Sequence, residues 1–292
     1  MHDSIDHLQR FLFDQHNVRG ELVQLGPAYA AMIANHNYPP AVAELLGELL
    51  AATSLLTALL KFEGSITVQL QGDGPLRMLV VNGDHRQQFR GVARLAREPG
   101  NAHGLQQLLG SGYLVITVSP VDGERYQGVV ALSRDTLAHC LEDYFQQSEQ
   151  LDTHLWLHAR SGAQAVAGGL LLQRLPGDIK GDDEGLNHLA QLANTLSPDE
   201  LFQLPATELL HRLFHQEELR LFDPQLLAFV CGCSRERSED AVTTLGRSEC
   251  EALIAEKGEM ETTLRITFED LMGYAERGAD IPMEKRAFYT YQ

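Results

Sequence analysis

The chain has 292 residues, of which 44% are hydrophobic, and a formal net charge of −17 at pH 7. A chain of this length and apolar content can bury the core of one large domain with a small one beside it, which excludes disorder over most of its length. The acidic balance argues against nucleic acid and anionic membranes as partners, because both bind clusters of Lys and Arg.

The first ten residues are polar and charged and contain no apolar segment of the kind found in signal peptides. The longest apolar stretch, Leu45–Leu60, is interrupted by Glu48 and by several small polar residues, so no membrane-spanning segment is expected. Four cysteines in a chain of this size do not form a secreted disulfide framework. The sequence therefore predicts a cytoplasmic protein with reduced thiols.

Apolar periodicity predicts two helices near the N-terminus, over residues 28–36 and 41–60. The second has a broad apolar face, formed by residues that recur at spacings of three and four: Leu45, Leu49, Ala52, Leu56 and Leu60. We expect this helix to be well buried.

Alternating apolar and polar residues then predict a series of strands joined by short turns. The predicted strands cover residues 66–70, 76–81, 88–95, 113–119, 126–132, 154–159 and 168–175. A hairpin turn is expected at Asn82-Gly83, a helix over residues 135–148 and a β-bulge at Gly168-Gly169. These elements predict an α+β domain over residues 1–177, with a largely antiparallel sheet and packed helices.

A change in composition at residues 176–183 ends this domain, and short amphipathic helices follow it. One of them begins at Ser197-Pro198-Asp199-Glu200, with Pro at the first helical position and Glu at the capping-box position. We predict a helical linker over residues 178–225 and a small C-terminal domain over residues 226–292. A domain that small usually needs a staple such as a metal ion.

Cys231 and Cys233 are separated by a single glycine and are followed by Arg235 and Arg237. Two thiolates at this spacing can bind zinc or take part in thiol–disulfide chemistry, and nearby arginines lower thiol pKa values. The simplest alternative is two ordinary cysteines that happen to be close in sequence.

A closed zinc site needs four ligands, and two further candidates are required. Cys250 lies downstream, while His211 and His215 are four residues apart and would share one face of a helix. Histidines on an acidic amphipathic helix are usually surface residues, so a four-ligand site of this kind is a minor alternative. Cys140 falls within an apolar helical pattern and is expected in the core.

No catalytic Ser/His/Asp order, His-Glu-x-x-His motif or phosphate-binding glycine loop is present in the sequence. The enzyme hypothesis that stays open is a thiol–disulfide oxidoreductase that uses Cys231-Gly232-Cys233. The sequence around these cysteines, however, lacks the βαβ pattern of thioredoxin-like oxidoreductases.

Seven blocks of the sequence match the pattern of one known protein family. They are Phe13–Leu22, Leu49–Pro75, Arg90–Arg94, Gly123–Val130, Leu141–Phe145, Ser148–Gln150 and Cys231–Arg237. These blocks resemble the bacterial redox-regulated holdases of the 33 kDa chaperonin family, and the resemblance extends to about residue 258.

The resemblance implies an α+β N-terminal domain, a helical linker and a small C-terminal zinc switch domain. It also implies that four thiolates hold zinc in the reduced cell, and that oxidation forms two disulfides and releases the zinc. The switch domain and linker then unfold, an apolar surface binds unfolding client proteins without ATP, and a homodimer forms on activation.

The sequence departs from this family at the second pair of cysteines. Cys231 and Cys233 match the first pair, but an ungapped count places Leu264 and Thr267 where a Cys-x-x-Cys should follow Gly258. Neither residue ligates zinc, and a short deletion would explain the difference equally well. Zinc binding through Cys231 and Cys233 alone is expected to be weak. A disulfide between them would close a tight ring and be easily reduced.

We therefore predict an ATP-independent holdase, not an enzyme, that binds unfolding or oxidatively damaged proteins. Oxidation, heat or both would activate it by unfolding the linker and the C-terminal domain, with Cys231 and Cys233 as the redox element. The predicted client-binding residues are apolar residues of the linker: Leu186, Leu189, Leu196, Leu201, Leu209, Leu213 and Phe214. The same side chains could instead dock on the N-terminal sheet, and both roles hold if a docked element can also undock.

Overall fold

The computed structural model describes residues 6–34, 36–175 and 183–230. The chain divides into two units, Met1–Val230 and Cys231–Gln292. The predictions for Cys231, Cys233 and Cys250 concern the second unit and lie outside the described residues. The predicted domain limits at residues 177 and 225 stay predictions.

The first unit contains both helices and strands. The helices are α1 (Pro27–Ile33), α2 (Pro40–Ala58), α3 (Gly104–Leu109), α4 (Leu137–Tyr144), α5 (Asp183–Ala193), α6 (Pro198–Gln203) and α7 (Ala206–Phe214). A π-helical turn, Phe145–Glu149, extends α4. The strands are β1 (His7–Phe13), β2 (Val18–Leu25), β3 (Gly64–Gly72), β4 (Leu76–Asp84), β5 (Gln88–Leu95), β6 (Gly112–Pro120), β7 (Tyr126–Ala131), β8 (Thr153–Arg160), β9 (Val166–Arg174), β10 (Leu219–Leu221), β11 (Gln225–Leu226) and β12 (Ala228–Phe229).

The strands form two sheets. The first sheet has the order β10-β1-β2-β9-β8, with β11 also paired to β1, and the second has the order β12-β5-β4-β3-β6-β7. The strand pairs are antiparallel except for β12 with β5, which is parallel. The predicted α+β class with largely antiparallel strands is confirmed, although the strands form two sheets.

Helix α2 lies between the two sheets and contacts β2, β8 and β9 of the first as well as β3, β4 and β5 of the second. It is long and apolar enough to cross a membrane by length and composition, yet 78% of its apolar window is buried inside the protein. The predicted buried helix is therefore confirmed, and its apolarity is explained by neighbours on two sides.

The turn predicted at Asn82-Gly83 is wrong, because both residues belong to β4. The chain turns after them, where Asp84 Oδ1 accepts hydrogen bonds from the backbone N–H groups of Arg86 and Gln88, both at 3.0 Å. Gln87 adopts a positive φ of 58° in this turn. The aspartate side chain thus sets the hairpin, and the Asn-Gly pair does not.

Glu21 on β2 is buried, with 3% of its surface exposed. Its Oε2 atom has no hydrogen-bond partner among the described residues. Burial raises the pKa of Glu21 to about 8, although the nearby charges of Arg19 and Arg10 lower it. The carboxyl group is therefore largely protonated in the folded protein at neutral pH.

Because the folded pKa of Glu21 lies above its ordinary value, its contribution to stability is complete below about pH 4.5 and is lost as the pH rises to about 8. We expect the free energy of unfolding to fall by on the order of a few kcal/mol across this range. Glu21→Gln should flatten that part of the pH dependence. Urea unfolding followed by circular dichroism at pH 5 and pH 8 measures it, with the exposed Glu124→Gln as control. Equal slopes in wild type and Glu21→Gln would contradict this prediction.

Candidate functional site

The face of the first sheet that points away from α2, called here the outer face, is apolar. Alternation along three adjacent strands places six buried side chains on it: Phe11, Phe13, Val18, Leu22, Leu170 and Leu172. An apolar sheet face of this size must be covered to be stable in water.

Helices α5, α6 and α7, called here the linker helices, cover this face. Every residue that we predicted from the linker sequence is buried against it: Leu186 (2% exposed), Leu189 (0%), Leu196 (7%), Leu201 (0%), Leu209 (0%), Leu213 (8%) and Phe214 (1%). Together with the six sheet residues they belong to one apolar cluster, the linker cluster, which is distinct from the core around α2.

Phe214 at the end of α7 anchors the linker cluster. Its ring centroid lies 5.0 Å from that of Phe13 and 6.2 Å from that of Phe11, and the contact with Phe13 is edge-to-face. The ring of Phe11 occupies the space above Gly20, where a Cβ atom would lie 2.1 Å from the ring. The glycine therefore lets the aromatic group lie close to the sheet.

Helix α6 approaches β9 at Gly168. A Cβ atom on Gly168 would lie 3.1 Å from Leu201 Cγ and 2.8 Å from the carbonyl oxygen of Val23. Gln24 Nε2 donates to the carbonyl oxygens of Leu201 (2.6 Å) and Leu204 (2.8 Å). These two carbonyl groups lie in the last turn of α6 and at its C-cap. Gly168 lies in continuous register with both neighbouring strands, so the predicted bulge is wrong. The glycine makes room for the linker.

Polar contacts border the linker cluster. Trp156 Nε1 on β8 donates to Asn194 Oδ1 at 2.9 Å, and Arg160 on the same strand forms an ion pair with Asp199 at 2.8 Å. The Ser197 capping box predicted from sequence is confirmed, since Ser197 and Glu200 exchange hydrogen bonds. The exposed ion pair adds little stability, so the apolar contacts determine the docking.

A junction of three side chains joins three parts of the chain. Glu217, which follows α7, contacts His16 of the β1–β2 turn at 2.9 Å and His188 of α5 at 2.9 Å, each through a different carboxylate oxygen. Burial alone would raise the pKa of Glu217, but the hydrogen bonds from the two histidines outweigh it, and the pKa lies below its ordinary value. The folded junction therefore favours the carboxylate form.

The linker helices have 11, 6 and 9 residues. Isolated helices shorter than about 12–15 residues are marginal in water, so these helices depend on the sheet for their stability. An element held mainly by docking belongs to the low-stability part of a protein and can open while the core persists.

Candidate metal-binding and thiol residues within the described part of the chain are not brought together. Cys140 is fully buried and burial raises the pKa of its thiol, which confirms the expected core position. His211 and His215 are exposed at α7. Over residues 6–34, 36–175 and 183–230, no group of three or more His, Cys, Asp or Glu side chains could hold a metal ion.

Comparison with known proteins gives consistent results. The family described as Hsp33 protein matches residues 6–265. A 33 kDa chaperonin of Yersinia pestis (strain Pestoides F) is 54% identical over 258 residues, 88% of each chain. A 33 kDa chaperonin of Edwardsiella ictaluri (strain 93-146) is 54% identical over 257 residues, 88% of this chain and 87% of that one.

A solved structure has the same fold. The crystal structure of a 33 kDa chaperonin from Thermotoga maritima, a heat shock protein 33 homolog, has a TM-score of 0.79 and covers 93% of this chain and 98% of its own. At 19% identity this likeness concerns the fold alone.

These findings define a molecular chaperone associated with the stress response, and not an enzyme. The chain belongs to the Hsp33 family, as its resemblance in sequence predicted.

Glu217→Gln should weaken docking of the linker helices, because a neutral amide replaces a carboxylate that contacts two imidazoles. We expect a loss of about 1 kcal/mol in docking free energy. Hydrogen exchange of the amides in α5–α7 measures it, and the emission of Trp156, the one tryptophan in the sequence, provides a second readout. The neighbouring Glu218→Gln is the control, since Glu218 is exposed and accepts a hydrogen bond from Gln15 at 3.2 Å without contacting His16 or His188. Equal exchange in both variants would contradict the role of the junction.

Proposed function

We propose that the protein is an ATP-independent holdase and that it binds unfolded clients through the linker cluster. Release of the linker helices would uncover the apolar outer face of the first sheet and the apolar sides of the helices together. The observation that carries this proposal is the separation of two apolar clusters, because the linker can leave while the core around α2 stays packed.

Heat favours release for a simple physical reason. Undocking of three short helices gains conformational entropy and costs only the contacts of one apolar cluster and its polar border. The sheet face keeps its shape, since α2 supports it from the other side through β2, β8 and β9. A temperature-dependent opening of the linker therefore supplies the trigger that we propose.

Oxidation is the second proposed trigger, through Cys231 and Cys233. The two thiols would lose two electrons and two protons to an oxidant and form one disulfide. This disulfide is the single redox change that we propose for the chain. Two thiolates supply only half of the ligands of a four-coordinate zinc site. Among the described residues, no group of three or more His, Cys, Asp or Glu side chains could hold a metal ion on its own. The redox element that we propose is therefore the Cys231–Cys233 pair without zinc.

Unfolded or oxidised proteins are the proposed partners, and a homodimer of the active form and a cytoplasmic location remain predictions. Membership of a chaperone family favours the holdase over the oxidoreductase alternative for Cys231-Gly232-Cys233. A holdase should show no turnover of a scrambled-disulfide substrate.

The double substitution Leu213→Ser and Phe214→Ser should lower holdase capacity several-fold above the temperature of linker release, because two buried apolar side chains of the cluster are lost. Aggregation of a heated client, followed by light scattering, measures this capacity. The control is Glu208→Ser with His211→Ser, which changes two exposed positions of the same helix. Glu217→Gln keeps every apolar side chain and should instead start suppression at a lower temperature. Unchanged capacity in the Leu213/Phe214 variant, with the helices shown to be released, would place client binding elsewhere.

Reduced protein should retain much less than one zinc ion per chain after dialysis, because two thiolates provide only half of a tetrahedral ligand set. Metal analysis by mass spectrometry, with thiol titration of the same sample, measures this. One tightly held zinc per chain that is lost in Cys231→Ser would show that further ligands exist.

A further inference from the structure

A cavity of about 410 Å³ lies beside the linker cluster, between the outer face of the first sheet and the linker helices. Gln9 of β1 and Gln24 of β2 line the side formed by the sheet, and residues 204–206, which connect α6 to α7, line the opposite side. Leu226 of β11 also lines the cavity. Release of the linker helices would separate two of these sides, so the cavity is a property of the docked protein.

The lining of this cavity has the composition of a small-molecule site. Most of the described residues that line it are apolar, with a few polar groups among them. Ligand pockets are typically of this kind and have volumes of about 300–1,000 Å³. Among the described lining residues none is Asp, Glu, Lys or Arg, so a charged ligand would lose hydration without gaining an ion pair. The cavity therefore favours a neutral ligand.

Gln9 supplies the polar group that indicates the chemistry of the ligand. The residue is 4% exposed, and its Nε2 atom donates to the carbonyl oxygens of Phe222 (2.5 Å) and Arg10 (3.0 Å). These two bonds use the amide hydrogens and fix the orientation of the side chain. No described residue donates to the Oε1 atom. A buried acceptor without a donor costs free energy, so a ligand that donates to it gains affinity.

Gln24 repeats this arrangement on the neighbouring strand. Its Nε2 atom donates to two carbonyl oxygens of α6, as described above, and none of the described residues donates to its Oε1 atom. Gln24 lies opposite His7 in the β1–β2 ladder, so Gln9 is its diagonal neighbour on the same face of the sheet. Two amide side chains thus offer acceptor atoms at the cavity, while their donor atoms are already engaged.

We propose that this cavity binds a neutral, mainly apolar molecule with an N–H donor, and that the bound molecule holds the linker helices in the docked state. The donor pairs with Oε1 of Gln9, while the apolar part of the ligand covers the apolar walls. A ligand that binds only the docked form shifts the equilibrium toward that form by mass action. The regulatory part of this proposal rests on the proposed holdase function, whereas the binding itself does not.

The first experiment measures binding to the full-length, reduced protein by isothermal titration calorimetry, with indole and benzofuran as probes. The two molecules have nearly the same shape, but benzofuran has a ring oxygen where indole has its N–H group. Indole should bind about fivefold more tightly, as expected for one hydrogen bond to a buried acceptor. Gln9→Leu should abolish this preference and leave the affinity for benzofuran unchanged. Gln69→Leu is the matched control, because Gln69 is a half-buried strand residue outside the cavity.

The second experiment measures hydrogen exchange of the amides in α5–α7. Indole at ten times its dissociation constant should slow this exchange about tenfold in wild type, and about threefold in Gln9→Leu at the same concentration, because the variant binds indole more weakly. Suppression of client aggregation should then begin at a higher temperature when indole is present.

Four results would overturn the proposal. They are no binding of either probe, equal affinities of the two probes for wild type, equal losses for both probes in Gln9→Leu, and faster exchange of the linker amides with indole. The last result would mean that the probe binds the uncovered outer face. The comparison of the two probes on wild type needs no substitution, so it stays decisive even if Gln9→Leu folds poorly. Failure of the holdase function would appear separately, as client aggregation without any probe present.

Discussion

The apolar outer face of the first sheet is the constraint on which the rest of the structure depends. Strands β1, β2 and β9 carry apolar side chains on both faces, so the sheet needs a cover on each side. Helix α2 covers one side and has the length and apolarity of a core helix. The other side is covered by short helices whose stability comes from the sheet itself. We propose that this difference keeps α2 in place while the linker helices can be released.

The two consecutive glycines of β9 show how closely both covers approach. A Cβ atom on Gly169 would lie 3.2 Å from Leu55 of α2, while one on Gly168 would lie 3.1 Å from Leu201 of α6. Adjacent residues of a strand face opposite sides, so one dipeptide serves both layers. The first sheet thus lies between the core around α2 and the linker cluster, and we propose that the linker cluster regulates the protein.

The sequence identified the apolar residues that are buried in the linker helices, whereas their role in client binding stays a prediction. Leu186, Leu209 and Phe214 stood out because a helix buried on one face has a 3.6-residue period. Strand β1 was missed, because its residues are buried on both faces and its apolar pattern does not alternate. The Asn82-Gly83 turn was misplaced because Asp84 decides the hairpin through its own hydrogen bonds. Docking on the N-terminal sheet was one of two expected roles, but contacts between distant segments leave no local pattern, so the sheet residues of the linker cluster could be identified only in three dimensions.

Strands β10 and β11 give the linker helices a second point of attachment. Leu219–Leu221 pairs with β1 after α7, just as β9 pairs with β2 before α5. If both pairings persist when the helices leave, the released segment is a closed loop and not a free tail. Its helices then stay at a high local concentration above their own binding face, and recapture is an intramolecular event whose entropic cost grows only slowly with loop length. Such tethering would let clients be released by competition from the protein's own linker, without an external source of energy.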